Sequence, residues 1–151
     1  MTRARAGYTL TEMVTVLVMV AIFMALTAPK LRGVTAASGL RSARQQTAVY
    51  LAQARAAAVQ RGREARFVRS GNVVQVTVDS SGTQVLVGRP HDLYREHGVS
   101  LGATSDVIAF DPRGFAIGTG SMQRVWMTRG SGRDSVCITK FGKVITQGCT
   151  L

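Results

Sequence analysis

Residues 6–30 read "AGYTLTEMVTVLVMVAIFMALTAPK". One acid, Glu12, heads a run from Met13 to Ala28 that carries no charge. Tyr8 to Ala28 would make roughly 30 Å of helix at about 1.5 Å per residue, enough to span a bilayer core. Arg3 and Arg5 precede the run without an acid, which predicts a cytoplasmic N-terminus. A carboxylate in hydrocarbon costs roughly 2.5–3.5 kcal/mol on insertion scales, so Glu12 requires a partner or a use.

Three readings of this segment compete. A secretory signal peptide needs a small-residue cleavage site, and here Leu26 and Ala28 run into Pro29, a poor substrate for a signal peptidase. An uncleaved anchor leaves Glu12 and the Gly7-Tyr8 pair without a reason. The third reading is a processed helix that uses its acid.

"GYTLTEM" before an apolar run resembles the class III signal of type IV pilins and of the related pseudopilins of type II secretion. The resemblance implies that a prepilin peptidase removes residues 1–7 by cutting after Gly7, and that the new terminus, Tyr8, is N-methylated. Phenylalanine is usual at that place, so Tyr8 is an aromatic departure. It also implies an assembly role for Glu12, which would pair with the terminal ammonium of a neighbouring subunit. A buried charge is costly alone and far less so when paired, which favours a correctly staggered filament. Pro29 falls where pilins loosen the helix, by removing an i to i−4 hydrogen bond.

Beyond Pro29, Leu40, Ala43, Thr47, Leu51, Ala54 and Ala58 recur in steps of three and four, a helical stripe with Arg41, Arg44 and Arg55 off it. Arg61 then Gly62 predicts the helix stop. From Glu64, "RFVRSGNVVQVTVDSSGTQVLVGR" reads as three strands joined by Ser-Gly turns, and "VSL", "DVIAFD", "MQRVWMT", "DSVCITK" and "KVITQ" supply further strands. Residues 88–105 predict a long loop with a short strand near Val99–Leu101.

The segment "DVIAFDPRGFAIGTGSMQRVWMTRGSGRDSVCITKFGKV" resembles the end of the GspH/FimT family of minor pilins and pseudopilins. Its elements are Phe110, the Asp111-Pro112-Arg113-Gly114 turn, the strand Arg124 to Thr128, and a last hairpin marked by Val136, Ile138, Gly142 and Val144. The resemblance implies an α+β, type IV pilin-like fold. Residues 1–7 would be leader, 8–29 a transmembrane half-helix, 30–62 an amphipathic half-helix and 63–151 an antiparallel β domain. The implied location is the bacterial inner membrane with the β domain periplasmic, then the filament tip. Implied partners are the peptidase, other minor pilins or pseudopilins, and the filament.

Composition fits that plan: 46% hydrophobic and 18% charged residues are ordinary for a globular domain. Cys137 and Cys149 would form one disulfide in an oxidising compartment, with two buried free thiols as the alternative. No CxxC or His/Cys cluster is present and His91 and His97 stand apart, so neither metal nor cofactor is expected. No GxSxG, HExxH or Walker A sequence occurs, His91-Asp92 reads as surface, and no enzyme activity is expected. Trp126 on an amphipathic strand reads as core.

Nineteen Lys+Arg against eight Asp+Glu give a formal charge of +11, which suggests an anionic partner. Some FimT-type pilins bind DNA through a Gly-Arg-x-Arg sequence near the C-terminus. Here Gly142-Lys143-Val144-Ile145 keeps one cation and loses the other. Arg124, Arg129, Arg133, Lys140 and Lys143 are the candidate contacts for double-stranded DNA. The alternatives are a solvated basic surface, a type II secretion pseudopilin without DNA binding, or a single-span receptor or enzyme domain.

Overall fold

Thr9 starts the first helix. Its carbonyl accepts from the Glu12 and Met13 amides at 3.1 and 3.2 Å, and its Oγ1 accepts from the Glu12 amide at 3.3 Å. Helix α1 then runs Leu10–Arg61 and stops at Gly62, whose φ of 61° is the left-handed cap expected there. The computed structural model describes residues 8–118, 120, 122–147 and 149, without the side chains of 27–34. Gly7 and the side chain of Pro29 therefore lie outside the described residues. The chain divides into two compact units, Met1–Thr35 and Ala36–Leu151.

In the first unit every described side chain from Tyr8 to Leu26 is exposed, including Leu10, Leu17 and Phe23. A helix that is apolar all round is built to be covered. Thr15 already satisfies its hydroxyl inside the helix, donating to the Thr11 carbonyl at 2.7 Å. Among the described residues no helix is long and apolar enough to cross a membrane.

In the second unit the expected stripe is the buried one. Ala43, Thr47, Leu51, Ala54 and Ala58 are fully buried, and Leu40 nearly so. Thr47 removes the penalty for its hydroxyl by donating to the Ala43 carbonyl at 2.8 Å. Leu51, fully buried on this stripe, alone contributes about 1.5–3 kcal/mol by burial.

Two antiparallel sheets share this core. The first has the order β3-β2-β1-β5-β6, from β1 (Ala65–Ser70), β2 (Val73–Ser80), β3 (Thr83–Asp92), β5 (Val107–Phe110) and β6 (Ala116–Ile117). The second has the order β4-β7-β8-β9, from β4 (Ser100–Ala103), β7 (Met122–Arg129), β8 (Gly132–Thr139) and β9 (Val144–Ile145). Alternate residues face inward: Phe67, Val74, Val76, Val78, Ile108 and Phe110 from the first sheet, Val125, Met127, Val136 and Ile138 from the second.

Residues 88–105 depart from the expected long loop. β3 continues to Asp92, a five-residue helix α2 (Leu93–His97) follows, and β4 comes next. Asp92 Oδ1 caps α2 by accepting from the Tyr94 and Arg95 amides at 3.0 and 3.1 Å. Gly98, at φ 64°, closes it by donating to the Tyr94 carbonyl at 2.8 Å. Leu93 is fully buried beneath it. So short a helix has no period to detect, and its caps are its only sequence signal.

Trp126 is the second departure, since it is 41% exposed. Val125 and Met127 take the core face of β7, and a strand places Trp126 on the opposite one. Its indole lies over Gly102, its partner across β4 and β7: a Cβ at Gly102 would fall 2.7 Å from Cζ2 of the ring.

Candidate functional site

Three regions carry the residues that the sequence singles out. The first is the start of α1. Thr9-Leu10-Thr11-Glu12 has the S/T-x-x-E pattern of a capping box, and the Glu12 amide to Thr9 Oγ1 bond is half of one. Glu12 occupies the first turn, where the positive end of the helix dipole favours a carboxylate. Tyr8, at 77% exposure, and Glu12 both face outward.

The second is the outer face of the β4-β7-β8-β9 sheet. Arg124 pairs with Cys137, Trp126 with Ser135 and Thr128 with Arg133 across β7 and β8, so these side chains share one face. The disulfide Cys137–Cys149, with Cα atoms 5.9 Å apart, brings the tail over this face. Ser135 Oγ also donates to the Cys149 carbonyl, at 3.4 Å. Closing that loop of twelve positions contributes about 3 kcal/mol in the chain-entropy model. A groove of about 760 Å³ results, lined by Thr104, Arg124, Trp126, Arg133, Ser135 and Cys149 among others.

The five candidate cations do not converge there. Arg124 and Arg133 line the groove. Arg129 folds against α1 and the end of α2, where a Cβ at Gly98 would meet its guanidinium carbon at 3.5 Å. Lys140 and Lys143 sit exposed at the β8–β9 turn, roughly 23 Å of strand from Arg133 to Lys140. Between them Phe141 stands 72% exposed, edge-on to Phe115 at 6.1 Å, with Arg113 lying 5.5 Å above the Phe115 ring. Asp134 meets Arg44 of α1 at 3.2 Å, so the acid beside Arg133 is neutralised from beneath.

The third region joins residues that the sequence leaves apart. His91, Glu96 and His97 each bring a metal-ligating atom within 4.8 Å of the other two. The separation of the two histidines expected from sequence is thus corrected, and Asp92 serves α2 as its cap rather than orienting His91. Burial, and after it the Glu96 charge, pushes the nearby Tyr50 hydroxyl above its ordinary pKa.

The two motif turns also meet. Asp111 Oδ1 accepts from the Arg113 and Phe115 amides, each at 2.9 Å, and Gly114 leaves the turn at φ 86°. The Phe115 amide, and then Arg113, hold the Asp111 carboxyl below its usual pKa. Gly142, at φ 73°, lies against the Gly114 carbonyl so closely that a Cβ would overlap it. Arg55 Nε donates to that same carbonyl at 3.1 Å.

The profile of the "Type II transport protein GspH" family matches residues 37–142, from the packed half of α1 to this glycine contact. No curated protein matches the chain significantly. The fold is similar to that of the type IV minor pilin FimU of Pseudomonas aeruginosa (strain PAO1). In a P21 crystal form of FimU the TM-score is 0.60 at 19% identity, covering 72% of this chain and 87% of that one. In a P65 form it is 0.59 at 18% identity, covering 72% and 92%. The profile spans most of the chain and the fold is that of a type IV minor pilin, so the chain belongs to the GspH family.

Proposed function

We propose that this chain is a minor pilin or pseudopilin, processed after Gly7, methylated at Tyr8 and inserted through residues 8–29 in the inner membrane before joining a filament. The observation that carries the proposal is a GspH-family domain on a helix whose described side chains from Leu10 to Leu26 are exposed and whose only acid lies in its first turn. Such a helix gains nothing in water. In a bilayer, and then among neighbouring helices, it gains about 25 cal/mol per Å² of apolar surface covered. Glu12 then pairs with a terminal ammonium of a neighbour, and Pro29 lets the helix adjust. Other minor subunits and the filament are the partners, and the domain is displayed at or near the tip.

The test is the mass of the N-terminus after co-expression with a prepilin peptidase, in the wild type and in Glu12→Gln. The expected result is loss of residues 1–7 with one methyl group on Tyr8 in both, and incorporation into filaments only in the wild type. An intact leader, or a cut after Ala28, would refute the reading.

A second reading concerns the basic face. Exposed Trp126 between Arg124 and Arg133 offers a stacking ring flanked by phosphate-binding groups. It supports non-specific DNA binding at the groove, with Lys140 and Lys143 as a separate, distant pair. The pilus function, with capture of DNA, and the secretion function, without it, differ at this face.

A further inference from the structure

His91 is placed by an irregularity of β3. Val76 pairs with Val87 and Val74 with His91, so residues 88–90 stand opposite Gln75 alone. The bulge delivers His91 to the end of the strand beside core-facing Val74, and its side chain is only 18% exposed. α2 then folds straight back. Its caps, Asp92 and Gly98, hold the single turn that returns Glu96 and His97 to His91. The two imidazole rings lie 6.4 Å apart at 48°. Tyr50 of α1 walls the cluster, its ring 5.9 Å from His91 and its hydroxyl donating to the Arg89 carbonyl at 2.9 Å.

One atom in this cluster is anomalous for a structural histidine. Nε2 of His91 is buried and makes no aligned hydrogen bond, although Glu96 Oε2 lies 3.0 Å away. A buried polar atom without a partner is uncommon and costly. An imidazole nitrogen and a carboxylate oxygen this close are spaced as two ligands of one cation. Bonds of about 2.0–2.2 Å at tetrahedral to octahedral angles put neighbouring ligand atoms roughly 2.9–3.5 Å apart.

We propose that His91, Glu96 and His97 bind one divalent cation of the zinc class. Two imidazoles and one carboxylate suit Zn²⁺, Ni²⁺ or Cu²⁺, whereas Ca²⁺ and Mg²⁺ require oxygen ligands. The 4.8 Å spread of the set closes by rotation of Glu96, whose side chain is 53% exposed, and of His97. A simple His91–Glu96 ion pair would use neither His97 nor a metal, and the variants below separate the two. The ion ties the end of the β3 edge strand to α2 and stabilises the domain by mass action. Its fourth position opens outward, to water or to a donor from a neighbouring subunit.

The experiment uses the full chain in mild detergent, stripped by a chelator and dialysed against Zn²⁺, with Co²⁺ as an absorbing probe. The expected result is one equivalent bound per chain, a visible Co²⁺ ligand-field band, and a melting midpoint raised by Zn²⁺ but not by Ca²⁺ or Mg²⁺. Glu96→Gln and His97→Ala each weaken binding by roughly tenfold or more, the least that loss of a direct ligand costs. Both positions are accessible, and if one variant fails to fold the other decides. No Zn²⁺ retained at tens of micromolar, equal retention in a folded variant, or an equal response to Ca²⁺ would overturn the site.

Discussion

Replacing Gly142 by alanine tests whether the paired turns hold the β domain together. The control is Gly71→Ala. Gly71 has φ 61°, and a Cβ there would meet nothing within 4 Å. Alanine at Gly71 therefore incurs only the left-handed backbone cost of about 1–2 kcal/mol, partly offset by a stiffer unfolded chain, for a net loss of about 1 kcal/mol. Gly142 has a similar φ of 73°, but its Cβ would overlap the Gly114 carbonyl and lie 3.0 Å from Arg55 Nε. The obstacle is backbone, which cannot rotate aside. Relief requires separating the turns, which breaks the Arg55 to Gly114 hydrogen bond and strains the Ala116 amide to Lys140 carbonyl bond of 3.0 Å. A charged hydrogen bond contributes about 1.5–3 kcal/mol and a neutral one about 1. The expected loss for Gly142→Ala is therefore about 3–5 kcal/mol. Urea unfolding of the Ala36–Leu151 unit, disulfide intact, gives both numbers. Unfolding free energies of Gly71→Ala and Gly142→Ala within about 1 kcal/mol of each other would refute the contact as a source of stability.

Acid titration tests the Asp111 turn. Its carboxyl is held below the ordinary value, so the turn's contribution is complete above the unfolded pKa of about 4 and disappears as pH falls through the lowered folded value. Melts between pH 6 and pH 2.5 should show the wild type losing stability relative to Asp111→Ala only below about pH 4, and parallel curves would contradict this. At the groove, Trp126→Ala combined with Arg124→Ala and Arg133→Ala should abolish DNA binding that weakens steeply with salt, while Lys140→Ala with Lys143→Ala should leave most of it. The reverse ranking would move the interface to the β8–β9 turn, and no binding at low salt would favour the secretion reading.

Local signals in the sequence were sufficient wherever one element could be read alone. The helix stripe from Leu40 to Ala58 predicts the buried face because a 3.6-residue period leaves little choice. The Ser-Gly pairs at 70–71 and 81–82 place the first two hairpins, since glycine accepts the positive φ found at Gly71 and Gly82. Trp126 escaped the same logic. Alternation along β7 sets Trp126 opposite in parity to Val125 and Met127, on the outer face of the strand. Glycine at 102 gives the ring a place to lie on the outer face, and this partner across the strands is invisible in one sequence.

The functional residues divide the same way. His91, Glu96 and His97 span seven positions, yet a bulge and a five-residue helix bring them together, and neither has a periodic signature. As a set, the candidate cations are near one another in sequence only. Folded, Arg133 and Lys140 lie at opposite ends of β8, and Arg129 turns to the other face from Arg124. A strand separates its ends by about 3.4 Å per residue, so proximity along it is no guide to a shared patch.

Glu12 shows why the choice of variant matters. A carboxylate in the first turn after a capping threonine has a local reason to be there, independent of any filament. Its presence alone therefore does not separate a capped helix from an assembly contact. Glutamine serves the third position of a capping box as glutamate does, so Glu12→Gln keeps helix initiation while removing the charge. Alanine would remove both and confound them. If Glu12→Gln is processed normally and still enters filaments as well as the wild type, the cap explains the residue and the pairing role fails. If it is processed but excluded, the missing charge is the cause, because the start of the helix has been left intact.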